Sequence, residues 1–168
     1  HKVFRGFENA GYHVRVIMLN ALYSGAAQNR ERVIFLGSRD KFMLERPTIV
    51  DDTKRFKDAR DPDESVYKYI KETDRNMQKI EQLLQFKFEL IGPYDRVGTL
   101  TTQTGCGEKA VQHGKKWRYL TVLECERMQG FPDGWTKAVG ASGAYFALGN
   151  AVNCGMSRYL FQDYLPRV

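Results

Sequence analysis

The stretch HVRVIMLNALYSGAAQNRERVIFLGSR, residues 13–39, decides how this chain is read. HVRVIMLN (13–20) is rich in Val and Ile and reads as a buried strand; RVIFLGS (32–38) reads as a second. About ten residues join them, too few for a crossover helix, so the strands are expected to run antiparallel. In the connecting loop, Gln28, Arg30 and Arg32 occupy alternate positions and lead directly into the apolar run Val33 to Leu36. The residues alone allow two explanations for arginines at the lip of a core. They make salt bridges at a strand edge, or they present a planar fork of donors, charged at any working pH, to a ligand.

Upstream, Val3, Phe4 and Phe7 fall at helical spacing, and Gly11 reads as the residue just past the helix end. A two-stranded start makes no stable sheet alone. These strands therefore look like the end of a larger sheet whose remainder lies outside the chain. Downstream, residues 39–60 are charged and irregular. DPDESVYKYIKETDRNMQKIEQLL (61–84) is expected to be helical, broken near Thr73 and Asp74, and FKFELI (86–91) to be a strand. GPYDRVGTLTTQTGCGE (92–108) holds four glycines, four threonines and a proline, the mark of a loop dense in small hydrogen-bonding groups. TVLE before CERMQG predicts a capping box, with Thr121 as cap, Glu124 reaching back and Gly130 ending the helix. Leu148, Val152, Met156, Tyr159 and Leu160 form an apolar stripe, from which one amphipathic C-terminal helix is expected.

Bulk properties set limits. The 168 residues are 42% hydrophobic and 27% charged, a globular composition. A net charge of +6 permits a polyanionic partner without demanding one. No run of 18 apolar residues exists, so no membrane span is expected, and no basic-then-apolar leader opens the chain. Cys106, Cys125 and Cys154 form neither a disulfide framework nor a zinc pattern, which fits a reducing cytosol, and no metal is expected.

Three blocks carry a resemblance. GYHVRVIMLNALYSGAAQNRERVIFLGSR, RYLTVLECERMQGFP and GNAV occur in the order, and with roughly the separations, seen in the DNA (cytosine-5)-methyltransferases. The chain resembles their C-terminal half. The matches cover about residues 1–40 and 96–165; residues 41–95 fall where the family carries its variable target-recognition region.

The resemblance implies an α/β fold: the C-terminal part of an S-adenosylmethionine-dependent, Rossmann-like methyltransferase sheet, a small mixed target-recognition domain, and a returning C-terminal helix. It divides the chain into residues 1–40 (closing helix and strands), 41–117 (recognition) and 118–168 (bracing and returning helices). It implies methyl transfer from S-adenosyl-L-methionine to carbon 5 of cytosine in double-stranded DNA, in the manner of a restriction-modification enzyme in a prokaryotic or phage-derived cytoplasm.

Chemistry on a base requires the base to leave the stack. By resemblance, Arg32 approaches O2 of the everted cytosine. Arg30 meets the backbone beside it or holds the pocket wall, and Gln28, counted with the DNA-binding residues, orders the loop by side-chain hydrogen bonds. Thr99–Leu100 resembles the pair before the second recognition loop. Thr101, Thr102, Gln103 and Thr104 then become readers of base edges or phosphates, groups that donate and accept without fixed charge. Arg96 becomes a phosphate or guanine contact. Asn150 and Ala151 resemble residues lining the S-adenosyl-L-methionine pocket, while the RYLTVLECERMQGFP block reads as a brace.

The reaction also needs a thiolate, a carboxyl group and a glycine-rich cofactor loop. No Pro-Cys pair occurs in the chain. Glu8-Asn9 lies too close to Gln28 to be the family's Glu-Asn pair, and Glu8 reads as a solvent-facing helix residue. A catalytic N-terminal half or subunit is therefore the expected partner, and this chain alone is expected to be inactive. The alternative is a non-catalytic DNA-binding adaptor or regulator derived from the recognition half.

Overall fold

A computed structural model describes residues 2–43, 53–71, 89–104 and 109–164. Helix α1 (Lys2–Asn9) ends at Gly11, whose φ of 81° is one that side chains resist. Strands β1 (His13–Asn20) and β2 (Glu31–Ser38) pair antiparallel, Leu19 opposite Arg32 and Ile17 opposite Ile34. The first turn of their connection, a 3₁₀ turn at Ala21–Tyr23, is capped by the Asn20 side chain, which accepts from Leu22 N.

The pair buries one face along its length and the other only at the end near α1. Ile17, Leu19, Ile34 and Leu36 pack against Met156 and Leu160. On the other face Met18 is 62% and Val33 56% exposed, and Val16 and Phe35 are exposed as well. Phe4, edge-to-face with Phe35 at 5.8 Å, and Phe7 and Tyr12, against Gly37, cover its one end, where Val14 is buried. The run Val33 to Leu36 is thus half-buried, because alternate side chains of a strand point to opposite faces and α1 spans only one end of the outer one.

A second sheet holds β3 (Glu89–Ile91), β4 (Lys109–His113) and β5 (Lys116–Arg118); β3 and β4 are parallel, β4 and β5 antiparallel. The one-turn helix α2 (Phe56–Ala59) packs beside them. Phe56, Ile91, Val97, Leu100, Val111, Leu120, Met128 and Leu148 share one core with Ala27, so this region is built onto the loop that leaves β1.

Where a helix is expected over 61–84, the described part differs. Glu64–Val66 makes a single 3₁₀ turn, and the chain then extends, Tyr69 bridging to Arg118 of β5. The side chains of Tyr67 and Ile70 are buried by that pairing, which outweighs a weak helical preference. Residues 72–88, and with them the rest of that helix and the start of the expected strand at 86, lie outside the described residues.

Helix α3 (Val122–Gln129) has the expected capping box and ends at Gly130 in the left-handed region. Glu124 does more than cap. Its carboxylate takes both guanidinium arms of Arg118 (2.7 and 2.9 Å), Thr121 N and Asp61 N, all in the interior. Arg118 lies 3.8 Å over the Tyr67 ring. A buried ion pair holds only when its remaining hydrogen-bonding capacity is filled, as it is around this carboxylate.

The expected single C-terminal helix is two. Helix α4 (Ala141–Asn150) stops, and α5 (Cys154–Tyr159) restarts and runs on as a π-helical turn, Leu160–Tyr164. Asn153 causes the restart: its Oδ1 accepts from Gly155 N and Met156 N while its Nδ2 donates to Met128 O. The apolar stripe is therefore divided. Leu148 joins the core of the second sheet, Met156 and Leu160 join β1–β2, and Val152 between them is 52% exposed.

Candidate functional site

The loop before β2 is stitched to the Thr-Leu segment through the main chain. Asn29 N donates to Val97 O (2.6 Å) and Val97 N to Ala27 O (3.0 Å), so Gln28 and Val97 form a parallel bridge. Thr99 Oγ1 adds a bond to Asn29 O at 3.1 Å. Asn20 closes the base of the loop, its Oδ1 accepting from Arg30 N and its Nδ2 donating to Asn29 Oδ1. Gln28 itself is fully buried and its amide has no hydrogen-bond partner. The order expected from its side chain comes instead from these main-chain bonds.

The two arginines part company. Arg30 is 2% exposed. Its Nη1 donates to Leu100 O (2.8 Å), and its Nη2 to Gly149 O (3.0 Å) and Ala151 O (2.8 Å). Burial, then the neighbouring Arg32 charge, lower its pKa to about 10, so it remains a cation at neutral pH. The orphan carbonyls at the end of α4 thereby find a cation, which also suits the helix dipole. The guanidinium thus joins the arginine loop to Leu100 and to the GNAV segment.

Arg32 sits on the inward face of β2 with Ile34 and Leu36 and is half-buried; its Nη1 donates to Glu31 O. Among the described residues neither arginine pairs with a carboxylate. The strand-edge salt bridges that the residues alone allowed are absent there.

The threonine segment is a fixed turn. Thr104 Oγ1 accepts from Thr101 N and donates to Thr101 O, and Gln103 N donates to Thr101 Oγ1. Thr104 is buried and its hydroxyl is used inside the turn, whereas Gln103 is exposed and Thr101 and Thr102 are half-buried. Arg96 is exposed beside it. Gly105 to Glu108 lie outside the described residues. Gly149 packs against the turn so closely that a Cβ there would lie 2.3 Å from the Thr101 carbonyl carbon. Asn150 is exposed next to it, and the Ala151 carbonyl is taken by Arg30. The arginine loop, the threonine turn and the GNAV segment, far apart in sequence, thus meet at one place.

The sequence matches the profile of the C-5 cytosine-specific DNA methylase family over residues 1–89 and 49–165. The chain belongs to that family. It is 27% identical over 176 aligned positions to the type II methyltransferase M.FnuDI of Fusobacterium nucleatum, which takes in 78% of this chain and 48% of that protein. A shorter match, 47% over 36 residues, is to M.Sau3AI of Staphylococcus aureus, covering 21% of this chain and 9% of that one. Among solved structures, the methyltransferase EhMeth of Entamoeba histolytica superposes with a TM-score of 0.74 at 18% identity, over 96% of this chain and 57% of EhMeth. The Dnmt2 methyltransferase of S. pombe follows at 0.71 and 20% identity, over 95% and 58%. The mixed α/β architecture is therefore that of the methyltransferase folds, and the chain spans about half the length of the relatives it matches.

Cys125 is buried and Cys154 half-buried, and burial pushes both thiols up. Among the described residues no cluster of His, Cys, Asp or Glu suits a metal, and no helix is long and apolar enough to cross a membrane. Two structural groups stand outside the sequence reading: Arg118, 1% exposed and paired with Glu124, and Glu126, whose buried carboxylate accepts from Gly134 N, Thr136 N and Thr136 Oγ1.

Proposed function

We propose that this chain is the DNA-gripping C-terminal part of a DNA (cytosine-5)-methyltransferase. In that role residues 1–40 close the catalytic sheet, 41–117 read the target and 118–168 brace it and return. The observation that carries the reading is the Arg30 clasp, which gathers the arginine loop, Leu100 and the GNAV segment on one guanidinium. It leaves Arg32, two residues along β2, as the cation available to an everted cytosine, whose O2 accepts from such a donor. Gln103, Thr101 and Thr102 face the DNA grooves, with Thr99, Thr104 and Gln28 as their support and Arg96 at a phosphate.

S-adenosyl-L-methionine, which supplies the methyl group, fits this chain only at an edge. Asn150 and the Ala151 backbone are the donors at hand, and a full pocket needs the other half. The thiolate and the acid likewise belong to that half. The exposed outer face of β1–β2, with Met18 and Val33 in water, supports such a partner and speaks against a self-sufficient adaptor. Restriction-modification in a prokaryotic cytoplasm is the setting that agrees with the type II relatives.

The test is reconstitution. The chain alone should transfer no labelled methyl group to duplex DNA. Mixed with a polypeptide carrying the Pro-Cys and glycine-rich motifs of this family, it should restore transfer, and Arg32→Ala should abolish that gain. Transfer by the unaided chain, or full activity of the Arg32 variant, would sink the proposal. Tight, sequence-selective binding by the chain alone would favour the adaptor.

A further inference from the structure

We infer that Tyr94 and Lys57 form a sequence-independent phosphate contact flanking the recognition loops, an inference that rests on the DNA reading above. Tyr94 stands on a turn fixed from several sides. Gly92 N donates to Asp95 Oδ2 (2.6 Å), and Asp95 N to Gly92 O. Phe56 N and Lys57 N of α2 donate to the Asp95 and Pro93 carbonyls at 2.9 and 2.8 Å. Phe56, 1% exposed, anchors that helix in the core. On this base Tyr94 is 71% exposed, and the Lys57 ammonium lies 5.1 Å from its ring centre.

The surroundings carry an excess of positive charge. Lys54 and Arg55 precede Phe56, and Arg96 follows the turn. Of the acids in these two segments, Asp58 accepts from Arg55 N and Asp95 from Gly92 N, so each carboxylate has an oxygen turned to the main chain. An exposed tyrosine whose ring lies against a lysine ammonium offers a phosphate one hydroxyl donor and one positive charge, and duplex bases are not free to stack on the ring.

Location ties the pair to DNA. Val97, three residues after Tyr94, is already bridged to Gln28. Tyr94 lies five residues before Thr99, at most ~17 Å of extended chain. At ~3.4 Å per base pair the contact falls within about five base pairs of the bases read by the threonine turn.

The test titrates the full chain onto labelled duplexes of two unrelated sequences between about 50 and 200 mM salt. Lys57→Ala should weaken binding equally for both sequences and lower the salt slope by about 0.9, so that its deficit shrinks about 3.5-fold across that range. Lys57→Arg should restore the slope. Tyr94→Ala should weaken binding with little change of slope, because the charge remains. Both side chains are exposed, and unchanged circular dichroism establishes that the variants fold. An unchanged slope in Lys57→Ala overturns the inference while leaving the DNA reading intact. A parent chain that binds no duplex overturns both. Equal or tighter binding of an RNA duplex, with the same Lys57 dependence, assigns the contact to another polymer and also overturns it.

Discussion

Gly149 rests directly on Thr101, backbone against backbone, and no side chain larger than hydrogen fits between them. The end of α4 and the threonine turn therefore keep a fixed spacing. Gly149→Ala must push the two apart, and overpacking of this kind costs about 1–3 kcal/mol. Urea denaturation should register that loss, and reconstituted methyl transfer should fall with it, because Gln103 and Asn150 are displaced relative to each other.

The two arginines should separate in a pair of assays. Arg30→Met removes three bonds from a cation and leaves three carbonyls unpaired, a loss of about 3 kcal/mol or more. Arg30→Lys should recover only part, since an ammonium is no planar fork. Arg32→Met, which frees no buried carbonyl and keeps an apolar stem on the inward face, should cost far less stability than Arg30→Met yet abolish transfer in the reconstituted enzyme. Equal stability losses for the two would contradict the division of labour.

Glu124→Gln leaves Arg118 buried beside an amide, and breaking such a pair costs about 3–5 kcal/mol. Thermal melting measures it. Replacing both partners with Arg118→Met and Glu124→Leu should not restore the parent, because Thr121 N and Asp61 N lose their acceptor as well.

The Arg127 guanidinium, in two bonds of 2.6 and 2.9 Å, holds the Asp133 carboxyl below the usual carboxylate range. The native state therefore keeps this charge to lower pH than the unfolded chain. Its stabilisation is complete above about pH 4 and is lost as pH falls through the native value. Trp135, stacked on Phe131 in the same turn, reports it. In a Trp117→Phe background its fluorescence should change on acidification, and Asp133→Asn should remove that transition.

Local chemistry was legible in the sequence where local chemistry decides. The β1–β2 pair, the Thr121–Glu124 box and the Gly11 and Gly130 stops follow from short-range rules of spacing and backbone freedom. The partners of Arg30 were not legible, because they are carbonyls 70 to 121 residues away, and any residue type supplies a carbonyl. The apolar stripe over 148–160 suggested one helix since its spacing ignores Asn153, whose capping depends on Met128 from another helix. Arg118 and Tyr67 bury each other, a contact that no periodicity encodes.

The clasp has a consequence for synthesis. Arg30 leaves the ribosome long before Ala151, its partner 121 residues later. At about 5–20 residues per second that interval is roughly 6–24 s. During it the first hairpin exists without the two late carbonyls that Arg30 clasps and without Met156 and Leu160, which cover its inner face.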